Sequence, residues 1–282
     1  MFHIKSFGVI GGDKRQLYCA RAIADDGFSV KVCGFEQCED TMGLENAALN
    51  EVLGHSEAII LPVPCSRDGG TVNAPFAAPA LTFGKEENAL LEGKPVFAGM
   101  KNRLPFPGGR VYDYAVREEF AVENAVPTGE GAIEIAMREY DGTIHGSACL
   151  VTGYGRIGRV LADMLAGLGA RVTVSARNLR DMAFIRARGF EAVHSLSLSG
   201  RYDIVFNTVP TLLLDACTLA KIAPGALVID LASMPGGVDF EAAERLSIKA
   251  IHALSLPGKA APKASGRIIK NAVYHIIREE GL

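Results

Sequence analysis

The segment LVTGYGRIGRVLADMLAGLGARVTVSARN, residues 150–178, constrains the fold more than any other part of the chain. Gly153-Tyr154-Gly155-Arg156-Ile157-Gly158 fits the pattern GxGxxG, and the apolar run ACLVT leads into it as a buried strand. After it, Ile157, Val160, Leu161, Met164, Leu165 and Leu168 recur on one helical face, and ARVTVS follows as a second strand. Strand, glycine turn, helix and strand in that order form a unit that binds dinucleotides. The glycines permit a tight turn and close approach of a pyrophosphate, and the helix N-terminus offers free N–H groups.

The remaining sequence repeats this alternation. DIVFNT, ALVIDLA and IKAIHAL are strands of the same half, and Asn178 is placed to cap a helix. In the first half, SFGVIGG, FSVKVCGF, EAIILPVP and KPVFAGM are strand candidates, and RQLYCARAIADDG is a helix ending at Gly27. GEGAIEIAMREY is expected to form a connecting helix, and PVPCSRDGGTVNAPFAAP a long loop that lines a site. In the last segment, Ile268, Ile269, Ala272, Val273, Ile276 and Ile277 share one face of a final helix. The expected fold is α/β, with two Rossmann-like domains built on parallel sheets, an inter-domain cleft, and a C-terminal helix crossing back to the first domain. The expected limits are residues 1–127 plus 267–282 for a substrate domain and 128–266 for a dinucleotide domain.

Composition narrows the function. A chain of 282 residues is long enough for two cores, and its 29 basic and 32 acidic residues leave a net charge of -3. Nothing in that balance draws it to nucleic acid or an anionic membrane. Six cysteines are scattered without a CxxC pair or a His cluster, so neither a disulfide framework nor a metal site is expected, and a reducing cytoplasm is. No apolar run reaches membrane-spanning length.

The end of the second strand decides the cofactor. An acidic residue there would accept hydrogen bonds from the ribose of NAD. This chain has Ser175, Arg177 and Asn178 instead, a guanidinium and two neutral donors suited to a 2′-phosphate, so NADP is the expected cofactor. Thr208, Val209, Pro210 and Ser233 follow later strands and are candidates for the nicotinamide side. Asp230 is either part of that pocket or a cap on a neighbouring loop.

With these residues in view, the chain resembles the A subunits of dipicolinate synthase over essentially its full length. The resemblance rests on GVIGGDKRQLYCARAIADDG, on the fingerprint segment, and on NTVP, VIDLAS and LPGKAAPKASG. It implies NADP-dependent oxidation of dihydrodipicolinate in spore formation. The implied partner is a flavoprotein-like B subunit; a homo-oligomer is also expected. Such a substrate is a small ring with two carboxylates, so its pocket needs cations and donors. Lys14, Arg15, Gln16, Ser66, Arg67, Lys101, Arg103 and Lys259 are available on loops, with Asp13 to orient one of them or take a proton. Arg15 is expected to offer its planar fork to one carboxylate and Lys259 to face the other. The rival readings are a two-domain 2-hydroxyacid or amino-acid dehydrogenase, although the strand-end His252 lacks that family's His-containing segment around it, and a non-catalytic NADP-binding protein.

Overall fold

The computed structural model describes residues 3–221 and 225–282. In chain order its elements are β1 (Ser6–Ile10), α1 (Lys14–Asp25), β2 (Ser29–Cys33), β3 (Glu45–Asn46), α2 (Leu49–His55), β4 (Ala58–Ile60), α3 (Lys85–Leu91), β5 (Val96–Ala98) and β6 (Val111–Asp113). Helix α4 (Glu118–Glu139) follows, then β7 (Ala148–Thr152), α5 (Arg156–Gly167), β8 (Arg171–Ala176), α6 (Leu179–Ala187), β9 (Glu191–His194), β10 (Ile204–Asn207), α7 (Ala216–Leu219), β11 (Leu227–Asp230), α8 (Phe240–Arg245), β12 (Lys249–His252), α9 (Leu256–Ala260) and α10 (Pro262–Glu280). The chain divides into two compact units, Met1–Asn124 with Ala261–Leu282, and Ala125–Ala260.

Each unit is a Rossmann-like α/β fold around a parallel six-stranded sheet. The orders are β3-β2-β1-β4-β5-β6 in the first and β12-β11-β10-β7-β8-β9 in the second. In both sheets the order reverses beside the first strand, between β1 and β4 and between β7 and β10. A crevice for ligands is expected beyond the carboxyl ends of such strands.

In the first unit β1 is buried along its whole length. Phe7, Leu17, Ile269, Val273 and Ile277 fill one side of its sheet, and Ile10, Val52, Leu53, Ile59 and Val96 the other. Helix α10 belongs to this unit and lies against α1 so closely that a Cβ on Gly266 would sit 2.6 Å from the Arg15 carbonyl oxygen. In the second unit the alternation of strand side chains separates two cores, with Val151, Val174, Phe206 and Ile229 in one and Leu150, Val205, Val228 and Ile248 in the other.

Two features depart from the sequence reading. The connecting helix, expected over GEGAIEIAMREY, is the 22-residue α4, which runs through Pro127. Its glycines serve packing: a Cβ on Gly129 would lie 2.9 Å from Met164 Sδ, and one on Gly131 would lie 3.1 Å from both Ala260 and Leu256. Burial against α5 and α9 offsets their low helix propensity. Strands β3, β6 and β9 were not expected either. They hold two to four residues without an apolar run, and their pairing partners come from elsewhere in the chain.

Candidate functional site

The β7–α5 turn carries the fingerprint, and its three glycines do different work. Gly153 has φ +88° and packs so tightly that a Cβ would meet Thr208 Oγ1 at 2.7 Å. A Cβ on Gly158 would lie 2.2 Å from the Gly153 carbonyl oxygen, so the glycine lets the helix sit directly on the turn. Gly155, the residue that caps α5, faces open space, with nothing within 4 Å of a Cβ built on it. Open space before the first N–H groups of a 12-residue helix is what an approaching pyrophosphate requires.

That space belongs to a cavity of about 540 Å³ at the reversal of the second sheet. Gly153, Tyr154, Gly155, Arg177, Asn178, Thr208, Val209 and Pro210 line it, joined by Arg159, Ala176, Asp181, Ser195, Leu196, Thr211, Leu212 and Leu213. The size and the apolar wall with a few polar groups suit a small-molecule site. Thr208 is held by a 2.7 Å hydrogen bond from its hydroxyl to the Thr152 carbonyl.

The expected 2′-phosphate residues divide. Arg177 is exposed on the cavity wall, and among the described residues no carboxylate pairs with it. Asn178 caps α6: its Oδ1 accepts from Asp181 N at 2.7 Å, and its Nδ2 donates to Asp181 Oδ2 at 2.7 Å. Ser175 is fully buried, with its hydroxyl 3.1 Å from that of Ser195, and is not part of the lining. Alternation along β8 turns Ser175 inward, and the strand's length alone could not show which neighbour would meet it. Arg156 and Ile157 open α5 outside the lining, Arg156 exposed and Ile157 packed against the core.

Several lining residues were absent from the sequence reading. Arg159 donates from Nε to the Tyr154 carbonyl at 3.0 Å and lies 4.9 Å from the centre of the Tyr154 ring, which fixes its position. Asp181 is 3.8 Å from Arg159. Leu196 and Leu212 are largely exposed at the cavity. Arg159 falls one helical turn after Gly155, so its spacing was a usable signal; Leu196, in a short 3-10 turn after β9, and Leu212, on a loop after β10, are brought to the cavity only by tertiary structure.

Ser233 lies outside the lining, exposed in a turn where its carbonyl accepts from Gly236 N at 2.9 Å. Asp230 is a loop anchor. Fully buried, it accepts from Asn207 Nδ2 at 2.7 Å, Ala232 N at 3.1 Å and Gly237 N at 2.9 Å. His252 Nε2 is 3.2 Å from the Ala232 carbonyl. A carbonyl only accepts, so Nε2 is the donor in this contact.

The first unit places Asp13, Arg15 and Gln16 together after β1. Asp13 caps α1, accepting from Arg15 N at 3.0 Å. The Arg15 fork, expected to take a substrate carboxylate, is filled by Asp13: Nε to Oδ1 is 2.9 Å and Nη2 to Oδ2 is 2.9 Å. Nη2 also donates to the Val63 carbonyl at 3.1 Å, tying α1 to the loop after β4. Gln16 is fully buried, and among the described residues neither Oε1 nor Nε2 has a hydrogen-bond partner. An amide in that state costs roughly 1–3 kcal/mol.

The other candidates are dispersed. Ser66 is buried, with its hydroxyl donating to Asp68 Oδ1 at 3.0 Å and accepting from Gly69 N at 2.8 Å, so its bonding capacity holds the turn. Lys14 is exposed on α1 beside a separate cavity of about 370 Å³ that also includes Tyr18, Glu39 and Asp40. Lys101 is exposed in a short 3-10 turn after β5, and Lys259 is exposed on α9 of the second unit. Burial pushes the Cys65 thiol up and the Tyr114 phenol well above its usual range, so neither is a proton carrier near neutrality. Among the described residues no group of three or more His, Cys, Asp or Glu side chains is placed to hold a metal ion.

Comparison with known proteins follows the division of the chain. Residues 6–104 match the family model of the N-terminal domain of dipicolinate synthase A subunits, and residues 115–238 that of the NAD-binding domain of D-isomer-specific 2-hydroxyacid dehydrogenases. The chain is 34% identical to the A subunit of dipicolinate synthase from Bacillus subtilis, over 96% of this chain and 95% of that protein. The crystal structure of the corresponding A subunit from Bacillus halodurans superposes with a TM-score of 0.83 at 32% identity, covering 97% of each chain. D-lactate dehydrogenase from Escherichia coli shares the fold, with a TM-score of 0.60 at 15% identity over 98% of this chain and 97% of that one.

Proposed function

Because the chain belongs to the family of dipicolinate synthase A subunits, we propose that it oxidises dihydrodipicolinate to dipicolinate with NADP, acting beside a flavoprotein-like B subunit during spore formation. Two findings support an oxidoreductase. The second unit matches the nicotinamide-dinucleotide domain of a dehydrogenase family, and its glycine turn leaves the space that a pyrophosphate fills.

The observation that carries the cofactor choice is Arg177, a cation on the cavity wall at the end of β8, where an NAD site would present a carboxylate. Gly153, Gly155 and the α5 N-terminus would hold the pyrophosphate, Arg177 the 2′-phosphate, and Thr208 to Pro210 the wall further along the cavity. When bound, NADP supplies the hydride acceptor.

Oxidation of the dihydro ring removes one hydride and one proton and leaves an aromatic ring. The chain's part is to orient the ring, exclude water and balance two carboxylates whose desolvation is otherwise costly. Asp13 already takes the Arg15 Nε and Nη2 groups, so the substrate's carboxylates need cations other than that fork. His252, which the rival 2-hydroxyacid dehydrogenase reading would need as its relay, has Nε2 directed at the Ala232 carbonyl.

The test is a single-turnover experiment with the isolated chain, NADP and dihydrodipicolinate generated in place, run with and without the B subunit. Formation of reduced NADP and dipicolinate in equal amounts is expected. Dipicolinate formed without reduction of NADP, or no reaction in either mixture, would overturn the proposal.

A further inference from the structure

We propose, resting on the NADP reading above, that Arg159 is a second specificity-determining cation for the cofactor's 2′-phosphate, beside Arg177, and that Asp181 is the counter-ion that holds Arg159 until the phosphate arrives.

Arg159 stands on the first turn of α5, and three contacts fix its guanidinium. Nε donates to the Tyr154 carbonyl at 3.0 Å, the group lies 4.9 Å from the centre of the Tyr154 ring, and Nη2 is 3.8 Å from Asp181 Oδ1. Asp181 accepts from Asn178 Nδ2 at 2.7 Å, and Asn178 directly follows Arg177. The charged end of Arg159 therefore sits at the turn between β8 and α6, and Arg159 and Arg177 line the same cavity from two different elements.

The pair with Asp181 is incomplete. At 3.8 Å it attracts through space but is too long for a hydrogen bond. Among the described residues Arg159 Nη1 and Nη2 make no hydrogen bond, and Asp181 Oδ1 is buried without a hydrogen-bond partner. A guanidinium held in position with its fork unspent suits a phosphate, whose oxygens it can meet in a bidentate way. Two such groups match a phosphate monoester, which carries about -1.5 to -2 charges near neutrality. Arg180 Nη2 is 3.6 Å from the same Asp181 oxygen, so the carboxylate keeps a cation when Arg159 turns to the phosphate. Asp181 does not replace the acid of an NAD site, because Asn178 engages Oδ2 and Oδ1 is buried away from a ribose.

The test is calorimetric titration of NADP and of NAD into the full chain, with turnover of dihydrodipicolinate followed in parallel. Arg159→Met keeps an apolar stem over the Tyr154 ring and removes the fork. It is expected to weaken NADP at least about tenfold, the lower edge for a hydrogen bond to a charged group, and to leave NAD within about twofold. Equal losses for both cofactors would assign Arg159 to the glycine turn or to the pyrophosphate they share, and unchanged NADP affinity would make it a surface cation. Either result overturns the proposal. Asp181→Asn keeps an acceptor for Asn178 and removes the charge that competes with the phosphate. It is expected to tighten NADP by about threefold, the scale of a partly exposed ion pair, with NAD unchanged. Unchanged or weaker NADP binding there overturns the counter-ion role, and this variant decides the matter should Arg159→Met not fold. If Arg159→Met loses the preference for NADP in a chain that shows no turnover, the inferred role stands and the proposed function falls. If Arg159→Met turns over with an unchanged KM for NADP, the function stands and the inferred role falls.

Discussion

Two glycines three residues apart in the fingerprint should fail in opposite ways when given a side chain. In Gly158→Ala the new methyl would lie 2.2 Å from the Gly153 carbonyl oxygen, about 0.8 Å inside the 3.0 Å approach that real Cβ atoms respect. The obstacle is backbone, so α5 must lift from β7, and the buried Leu161 and Leu165 move with it. Overpacking of this kind costs about 1–3 kcal/mol, and the rigidity of the neighbour puts this case toward the upper end. In Gly155→Ser the new side chain meets nothing within 4 Å, and serine caps a helix at least as well as glycine, so stability should stay within about 0.5 kcal/mol of the wild type. Both variants should lose NADP affinity, the first by distorting the turn and the second by occupying the pyrophosphate's approach. The chain has two units, so a global melt would blend them. Hydrogen exchange read on peptides from β7 and α5 isolates the relevant one, beside calorimetric titration of NADP. Wild-type protection in Gly158→Ala, or greater loss of protection in Gly155→Ser, would refute this account of the turn.

Other outcomes follow from the same geometry. Arg177→Ala should weaken NADP by roughly tenfold or more, the value of about 1.4 kcal/mol at the lower edge for a hydrogen bond to a charged group, while NAD binding stays unchanged; equal losses for both cofactors would show that the guanidinium does not read the 2′-phosphate. Asp26 is held below its usual carboxylate range, first by the hydrogen bond from Lys270 Nζ at 2.8 Å and also by that from Tyr274 at 3.0 Å. Its folded pKa is the lower one, so the stability it contributes is present above the unfolded value of about 3.9 and is lost as pH falls through the folded value. Lys270→Met should therefore flatten the stability profile below about pH 4, as measured by urea midpoints across pH, and an unchanged acid slope would contradict the link. Cys19 and Cys33 are pushed up to about 12 by burial, whereas Cys217 is exposed, so alkylation of the folded chain should label Cys217 and spare the other two. Early labelling of Cys19, seen by peptide mass mapping, would mean that α1 opens readily.

The features legible in the sequence are those whose causes lie within a few residues. The fingerprint turn, the strands on either side of it, the Asn178 cap and the final helix all follow from local pattern, because turn conformation, helix capping and helical periodicity are short-range effects. Parallel sheets followed from the alternation of strand and helix, since parallel strands need a crossover between them. The exchange of an acid for Arg177 at the end of β8 was equally readable, being one position in a fixed motif.

What only tertiary structure decided is which polar groups were already committed. A side chain's identity states what bonds it can make, and its partners depend on which distant segments fold against it. Arg15 has the fork that a carboxylate wants, and the folded chain fills it with Asp13 and ties it to the Val63 carbonyl. Ser66 and Ser175 carry hydroxyls suited to a ligand, and the turn at Gly69 and the hydroxyl of Ser195 take them instead. Asp230, ambiguous as a strand-end acid, is consumed by Asn207 and two loop N–H groups. Gln16, offered by the sequence as a group for the substrate pocket, is left buried by folding with no hydrogen-bond partner among the described residues. The sequence by itself determined a pair of parallel α/β units, a nucleotide turn and a cationic strand end. Hydrogen-bond satisfaction over long range, which is a property of the packed chain, decided which of its polar side chains remain available.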